Sequence, residues 1–191
     1  MSGCSVYGSF AEKQNRFCVS RCSAEPIGTF AENVTYTCVE PRSCPTNRYA
    51  ENNSRVCVLY CPKTPSMTYA DVYVTKRCVV TCPDIYYADS SILEGGQCVI
   101  NCAGTFRFRE NSTKSCVDTC PLAEVTFGDT VGDMCVKTCP DGTFAQQDAN
   151  RRCVSRCAAN TWGNKITKIC ITNPVTECPP NTWADDSTNN C

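Results

Sequence analysis

Apolar positions along this chain come singly, and they recur. About every 19 residues an aromatic residue is followed by a small one, an acidic one and a polar run, then by a cysteine and a β-branched residue. Phe108-Arg109-Glu110-Asn111-Ser112-Thr113-Lys114-Ser115-Cys116-Val117 shows the order. Short apolar segments on either side of a polar stretch read as strand, turn, strand. The pattern predicts a β-hairpin, or finger, in each period. The aromatic lies on the first strand, the polar stretch makes the tip, and Cys-Val lies on the returning strand. A repeat of this length means an array of small units, none able to bury a core alone. A two-stranded hairpin is marginal in water, so each finger needs a clasp at its base and a neighbour at its side.

The clasp is cysteine, at 20 in 191 residues, the level of a disulfide scaffold. Ten units follow one another. They open at Cys4, Cys22, Cys44, Cys61, Cys82, Cys102, Cys120, Cys139, Cys157 and Cys178. They close at Cys18, Cys38, Cys57, Cys78, Cys98, Cys116, Cys135, Cys153, Cys170 and Cys191. Large aliphatic residues are too scarce for one ordinary core, so cross-links replace burial. That places the chain in an oxidising, extracellular or secretory compartment. Pairing across each Cys-x-x-x-Cys junction would strand Cys4 and Cys191 and leave the fingers unclosed. Two patterns use every cysteine: each opener with its own closer, or an interlocked order of first to third and second to fourth. The first closes loops worth roughly 3 kcal/mol each on the chain-entropy account.

The aromatics are Phe10, Phe30, Tyr49, Tyr69, Tyr87, Phe108, Phe127, Phe144, Trp162 and Trp183. With the Val or Ile after each closing cysteine, they are the natural filling of the joints between fingers. A ligand-stacking row is the functional alternative, and their presence in all ten units favours joint packing. The residue after the aromatic is small in nine units, Arg109 being the exception. Eight units then carry an acid: Glu12, Glu32, Glu51, Asp71, Asp89, Glu110, Asp129 and Asp185. One carboxylate per unit does not converge as calcium demands, so turn capping is the expected role. Three sequons place Asn33, Asn52 and Asn111 at one equivalent spot, three residues past the aromatic. That shared register marks N-glycosylation at the finger tips.

Charge and missing residue types remove whole classes of function. The net charge is −1 with both signs interspersed, so no basic face addresses nucleic acid. No apolar run is long enough for a membrane-crossing helix, so this segment does not insert. Histidine is absent, which removes Ser-His-Asp and Cys-His catalysis and any histidine-containing metal site. Gly95-Gly96 is a turn rather than a phosphate loop. No enzyme, metal or cofactor is expected. No signal peptide precedes Cys4. The start at Met1-Ser2-Gly3 and the stop on Cys191 read as a segment of a longer secreted chain whose signal and anchor lie elsewhere.

Cys57-Val58-Leu59-Tyr60-Cys61-Pro62 and Cys135-Val136-Lys137-Thr138-Cys139-Pro140 resemble the junctions of furin-like, growth-factor-receptor cysteine-rich repeats. The fuller pattern, with Tyr69-Ala70-Asp71 and Phe108 to Pro121, is similar to long cysteine-repeat surface and secreted proteins of ciliates. The resemblance covers the whole chain and carries architecture rather than activity. It implies opener-to-closer disulfides: Cys4–Cys18, Cys22–Cys38, Cys44–Cys57, Cys61–Cys78, Cys82–Cys98, Cys102–Cys116, Cys120–Cys135, Cys139–Cys153, Cys157–Cys170 and Cys178–Cys191.

The fold class is therefore small and disulfide-rich, mostly β and irregular, an elongated array of ten single-disulfide β-fingers. Units 1–2 span 1–40, units 3–9 span 41–172 and unit 10 spans 173–191. The longer junctions at 39–43 and 171–177 hold Pro41 and Pro174 and are expected bends. The expected function is a non-enzymatic structural glycoprotein of a coat, matrix or filament. An ectodomain segment of a receptor, adhesin or surface antigen is the alternative. Homo-oligomers or filaments and N-linked glycans are the expected partners. Two tips are apolar where the others are polar. Val72, Tyr73, Val74, Ile92 and Leu93 there are expected to meet a neighbouring subunit, with folding back onto the finger as the alternative.

Overall fold

The computed structural model describes residues 4, 8–13, 15–24, 28–91, 95–105 and 107–191. It is a disulfide-rich repeat array with little helix. Ten disulfides join consecutive cysteines, opener to closer, over 13 to 17 residues, with Cα–Cα distances of 5.4 to 5.7 Å. The interlocked order is not formed.

Nine fingers give a short antiparallel strand pair among the described residues. Finger 2 is representative, with Phe30–Glu32 against Thr37–Val39 in the register Phe30↔Val39, Ala31↔Cys38, Glu32↔Thr37. Finger 10 has only the bridge Asp185↔Asn190. The two longer junctions become helical turns, Pro41–Ser43 and Pro174–Glu177, each with proline in its first turn, where a missing N–H costs nothing. The pairing of finger 2 with finger 3 keeps the common register, Ala31↔Val56.

The chain divides into two compact units, Met1–Ile100 and Asn101–Cys191, holding fingers 1–5 and 6–10. Inside each unit one joint repeats. The first strand of a finger lies parallel to the second strand of the finger after it. Ala11 pairs with Thr37, Arg109 with Met134 and Ala145 with Ile169. The aromatic of one finger and the Val of its closing strand then rest on the disulfide and small residue of the next. Phe30 and Val39 pack on Cys44, Cys57 and Ala50. Phe127 and Val136 pack on Cys139, Cys153 and Ala145. Full burial of such a ring contributes about 1.5–3 kcal/mol.

This packing explains the small residue that follows most of the aromatics. It is the floor on which the preceding ring lies. At Gly128 an added Cβ would stand 2.6 Å from the Phe108 ring. At Gly163 it would stand 2.7 Å from the Phe144 ring.

Candidate functional site

The tips carry what a partner could meet. Each tip is built around its acid. The Glu32 carboxylate, 3 % exposed, accepts from the Val34 N–H at 2.8 Å and the Thr35 N–H at 2.7 Å. It also accepts from the Thr35 hydroxyl at 2.7 Å. Glu51 caps the N–H groups of Asn53 and Ser54. Asp71 caps those of Tyr73, Val74 and Thr75. Glu110 caps those of Ser112 and Thr113. In finger 9 the neutral Asn164 takes the role, accepting from Ile166 and Thr167.

These carboxylates are most of the buried polar groups among the described residues. Glu12, Glu32, Glu51, Asp71, Asp89, Glu110 and Asp129 are all buried, and Asp185 is exposed. Burial alone would push the Glu32 carboxyl up. The bonds from Thr35 and Val34, with Arg48 adding its charge, hold it below its ordinary 4.5. At Glu110 burial is likewise outweighed by the bonds from Ser112 and Thr113. Glu12, Glu51 and Asp71 are lowered by the same opposition. Glu32, Glu51, Asp71 and Glu110 are engaged by their own turns, and Glu12 also accepts from the Ser23 N–H and the Thr29 hydroxyl of the next finger. Among the described residues, no three acids or cysteines group as metal ligands.

The sequon asparagines Asn33, Asn52 and Asn111 all stand exposed at the tips. Their common register has a cause within the fold. The hydroxyl two residues on, Thr35, Ser54 or Thr113, bonds the capping carboxylate. Tips without a sequon use the same bond, from Thr75 to Asp71 and from Ser91 to Asp89. The hydroxyl half of the motif thus also serves the turn.

At the fourth tip, Val72, Tyr73 and Val74 are exposed. Tyr73, 55 % exposed, nevertheless stacks on Tyr86 of the next finger, ring centroids 4.9 Å apart. Arg42 donates to the Val74 carbonyl at 2.7 Å. This tip has partners within its own unit. Ile92 and Leu93 lie outside the described residues.

One column went unread in the sequence. Arg16, Tyr36, Arg55, Lys76, Lys114, Asp133, Arg151, Lys168 and Asn189 all have positive φ, from 46° to 61°. Each stands two residues before its closing cysteine, where the tip ends and the return strand begins. Seven of these carbonyls accept a bond between fingers: Ala31 donates to Arg55 at 2.7 Å, Gly128 to Arg151 at 2.7 Å and Gly163 to Asn189 at 2.8 Å. Several of the side chains reach back over the preceding finger. The Arg55 guanidinium lies 4.3 Å from the Phe30 ring centre and Arg151 4.6 Å from that of Phe127. Arg55 also bonds the Ser23 carbonyl, and Lys76 bonds that of Cys44. The left-handed region normally signals Gly or Asn, so a basic column there does not announce a turn. Its fixed distance from the cysteine was the available clue.

An open groove of about 670 Å³ lies beside Trp162, with Arg156, Asn160, Asp186 and Asn189 around it. Several of its polar groups are hydrogen-bonded. The Trp162 indole N–H donates to Asp186 at 3.0 Å, and Arg156 donates to the Ser187 carbonyl and to Asn189. No helix of the described residues is long and apolar enough to cross a membrane. No family model, curated protein or solved structure matches this chain.

Proposed function

We propose that this chain is a non-enzymatic structural glycoprotein, a subunit of an extracellular coat, matrix or filament. The disulfide-rich repeat fits an extracellular protein. The finer reading rests on one observation, the fate of the reactive side chains. Every repeat carboxylate but Asp185 is buried, and the cysteines are held as disulfides. Side chains that could serve chemistry hold fingers in shape instead. The resemblance to cysteine-repeat surface and secreted proteins supports the same role.

Asn33, Asn52 and Asn111 are the proposed glycan sites. Intact-glycopeptide mass spectrometry of native protein is expected to find sugar there; three bare sites would remove the glycoprotein reading. Electron microscopy of native material is expected to show filaments or sheets. Dispersed monomers alone would refute assembly.

The groove beside Trp162 favours a second reading, the ectodomain of a receptor, adhesin or surface antigen. An aromatic face bordered by Arg156, Asn160 and Asp186 is the make-up of a small polar-ligand site. Ligand capture by native protein that is abolished by Trp162→Ala would favour it over the structural role.

A further inference from the structure

Each of the ten disulfides closes one finger, and none ties a finger to its neighbour. At one place in the first unit two phenols stand where such a tie can form. Tyr73, on the tip of finger 4, is 55 % exposed, and Tyr86, just before the first strand of finger 5, is buried. Their rings stack with centroids 4.9 Å apart and planes 10° from parallel, the offset arrangement that aromatic pairs favour. Both backbones are anchored. The Tyr73 N–H donates to the Asp71 carboxylate at 3.2 Å, and the Tyr86 N–H donates to the Pro83 carbonyl at 2.8 Å. The stack spans the junction from Cys78 to Cys82, and the exposed Tyr73 ring is the one with room to turn.

Two phenols in face contact are poised for one-electron oxidation, and the chain around them does not drain a radical away. Thiols quench tyrosyl radicals, and this chain has no free cysteine. Tryptophan is oxidised about as readily as tyrosine, and the first unit contains none, whereas all eight tyrosines lie in it. The compartment that forms disulfides is itself oxidising. Tyr36 is a control supplied by the same unit. It too is exposed, but its ring stacks on Phe10, centroids 6.3 Å apart, and phenylalanine yields no phenoxyl radical.

We propose that Tyr73 and Tyr86 are a dityrosine site, joined by a carbon–carbon bond between the ring positions ortho to their hydroxyls, with a haem peroxidase and hydrogen peroxide as the oxidant. The exposed Tyr73 gives up one electron and its hydroxyl proton and becomes a phenoxyl radical. Tyr86 passes an electron and a proton to it across the stack, and Tyr73 is oxidised a second time. The two radicals pair their odd electrons in the new bond, and the two ortho hydrogens move to the oxygens to restore the phenols. Two electrons and two protons have left the pair, and they reduce one peroxide to two waters. The product ties finger 4 to finger 5 by a link that reductants do not open. The site goes beyond the structural reading and does not depend on it, since it needs a single copy of the chain.

The test is brief treatment of the dilute, disulfide-bonded 191-residue protein with a haem peroxidase and limiting hydrogen peroxide. Free tyrosine coupled in a parallel reaction shows that the oxidant is active. The monomer is expected to become lighter by two hydrogens and to gain dityrosine fluorescence. Reduction and digestion are then expected to release one peptide pair joined through Tyr73 and Tyr86. Tyr73→Phe and Tyr86→Phe are each expected to abolish the fluorescence of the monomer, and Tyr36→Phe to leave it unchanged. Phenylalanine keeps both rings of the stack, so the fingers should still close; mass spectrometry counts the ten bridges. A monomer unchanged in mass overturns the site. So does a link that maps to another pair, or dityrosine found only in dimers joined through the half-exposed Tyr60.

Discussion

Phe30 and Trp183 hold the same place in their fingers and meet opposite surroundings. Phe30 is wholly buried on the disulfide of finger 3, beneath Arg55 and Arg77. Trp183 stands in solvent. The tips differ as well: Glu32 is buried, and Asp185, with the same capping geometry toward Ser187, is exposed. Phe30 owes its burial to the finger that follows it. A finger here is a half-structure, and its successor supplies the burial it cannot provide for itself.

The largest effect expected is on the ring itself. Phe30→Ala should cost about 3–5 kcal/mol, read as lost hydrogen-exchange protection in fingers 2 and 3. Trp183→Ala should change stability by no more than about 0.5 kcal/mol. Equal costs at the two sites would break the comparison. Next comes the cap. Glu32→Ala leaves the Val34 and Thr35 N–H groups without their acceptor and should cost about 1–3 kcal/mol in chemical denaturation. Asp185→Ala should leave the curve nearly unchanged, because water replaces the carboxylate.

Acid sharpens the contrast. Hydrogen bonds hold the Glu12, Glu32, Glu51 and Glu110 carboxyls below their ordinary 4.5 in the folded chain, against the opposing push of burial. The unfolded chain therefore binds these protons first as pH falls. Their contribution is fully present above about pH 4.5 and is lost as pH drops through the lower folded values. Exchange protection of the Val34 and Thr35 amides should fall over that window. That of Ile166 and Thr167, bound by the neutral Asn164, should hold. Parallel loss at both tips would assign acid sensitivity to something other than the caps.

The smallest effect is one of sign. Arg16→Gly relieves a left-handed conformation at an exposed side chain and should stabilise by up to about 1 kcal/mol. Arg55→Gly relieves the same strain but gives up the Phe30 ring and the Ser23 carbonyl, and should destabilise. A stabilising Arg55→Gly, measured by thermal melting, would show the reach of that side chain to be incidental.

Much of the fold could be read from Cys-Val junctions and one aromatic per period, because joint packing demands an apolar residue at a fixed place. The pairing needed more than spacing, since two connectivities left no cysteine over. What the sequence hid was the use of polar residues. Glu32 reads as a solvated turn residue, yet it is buried because its own turn offers it two N–H groups and a hydroxyl. Arg55 reads as surface charge, yet it ends the tip in a conformation reserved by habit for glycine. Its position is set by the carbonyl it must present, which composition does not reveal. Tyr73 reads as a sticky tip residue, and its partner Tyr86 lies in another finger, beyond any local pattern.

Bonding each cysteine to the next has a consequence for how the chain is made. Suppose it enters an oxidising lumen from its amino end. Cys18 then arrives soon after Cys4, and that bond can close before Cys22 emerges. The same holds at Cys38, Cys57 and every later closer. No isomerase has to sort among the many arrangements open to twenty thiols, because order of arrival does the sorting. An insertion of fingers in whole units would inherit the same accuracy, whereas one that adds a single cysteine would put every later closer out of step.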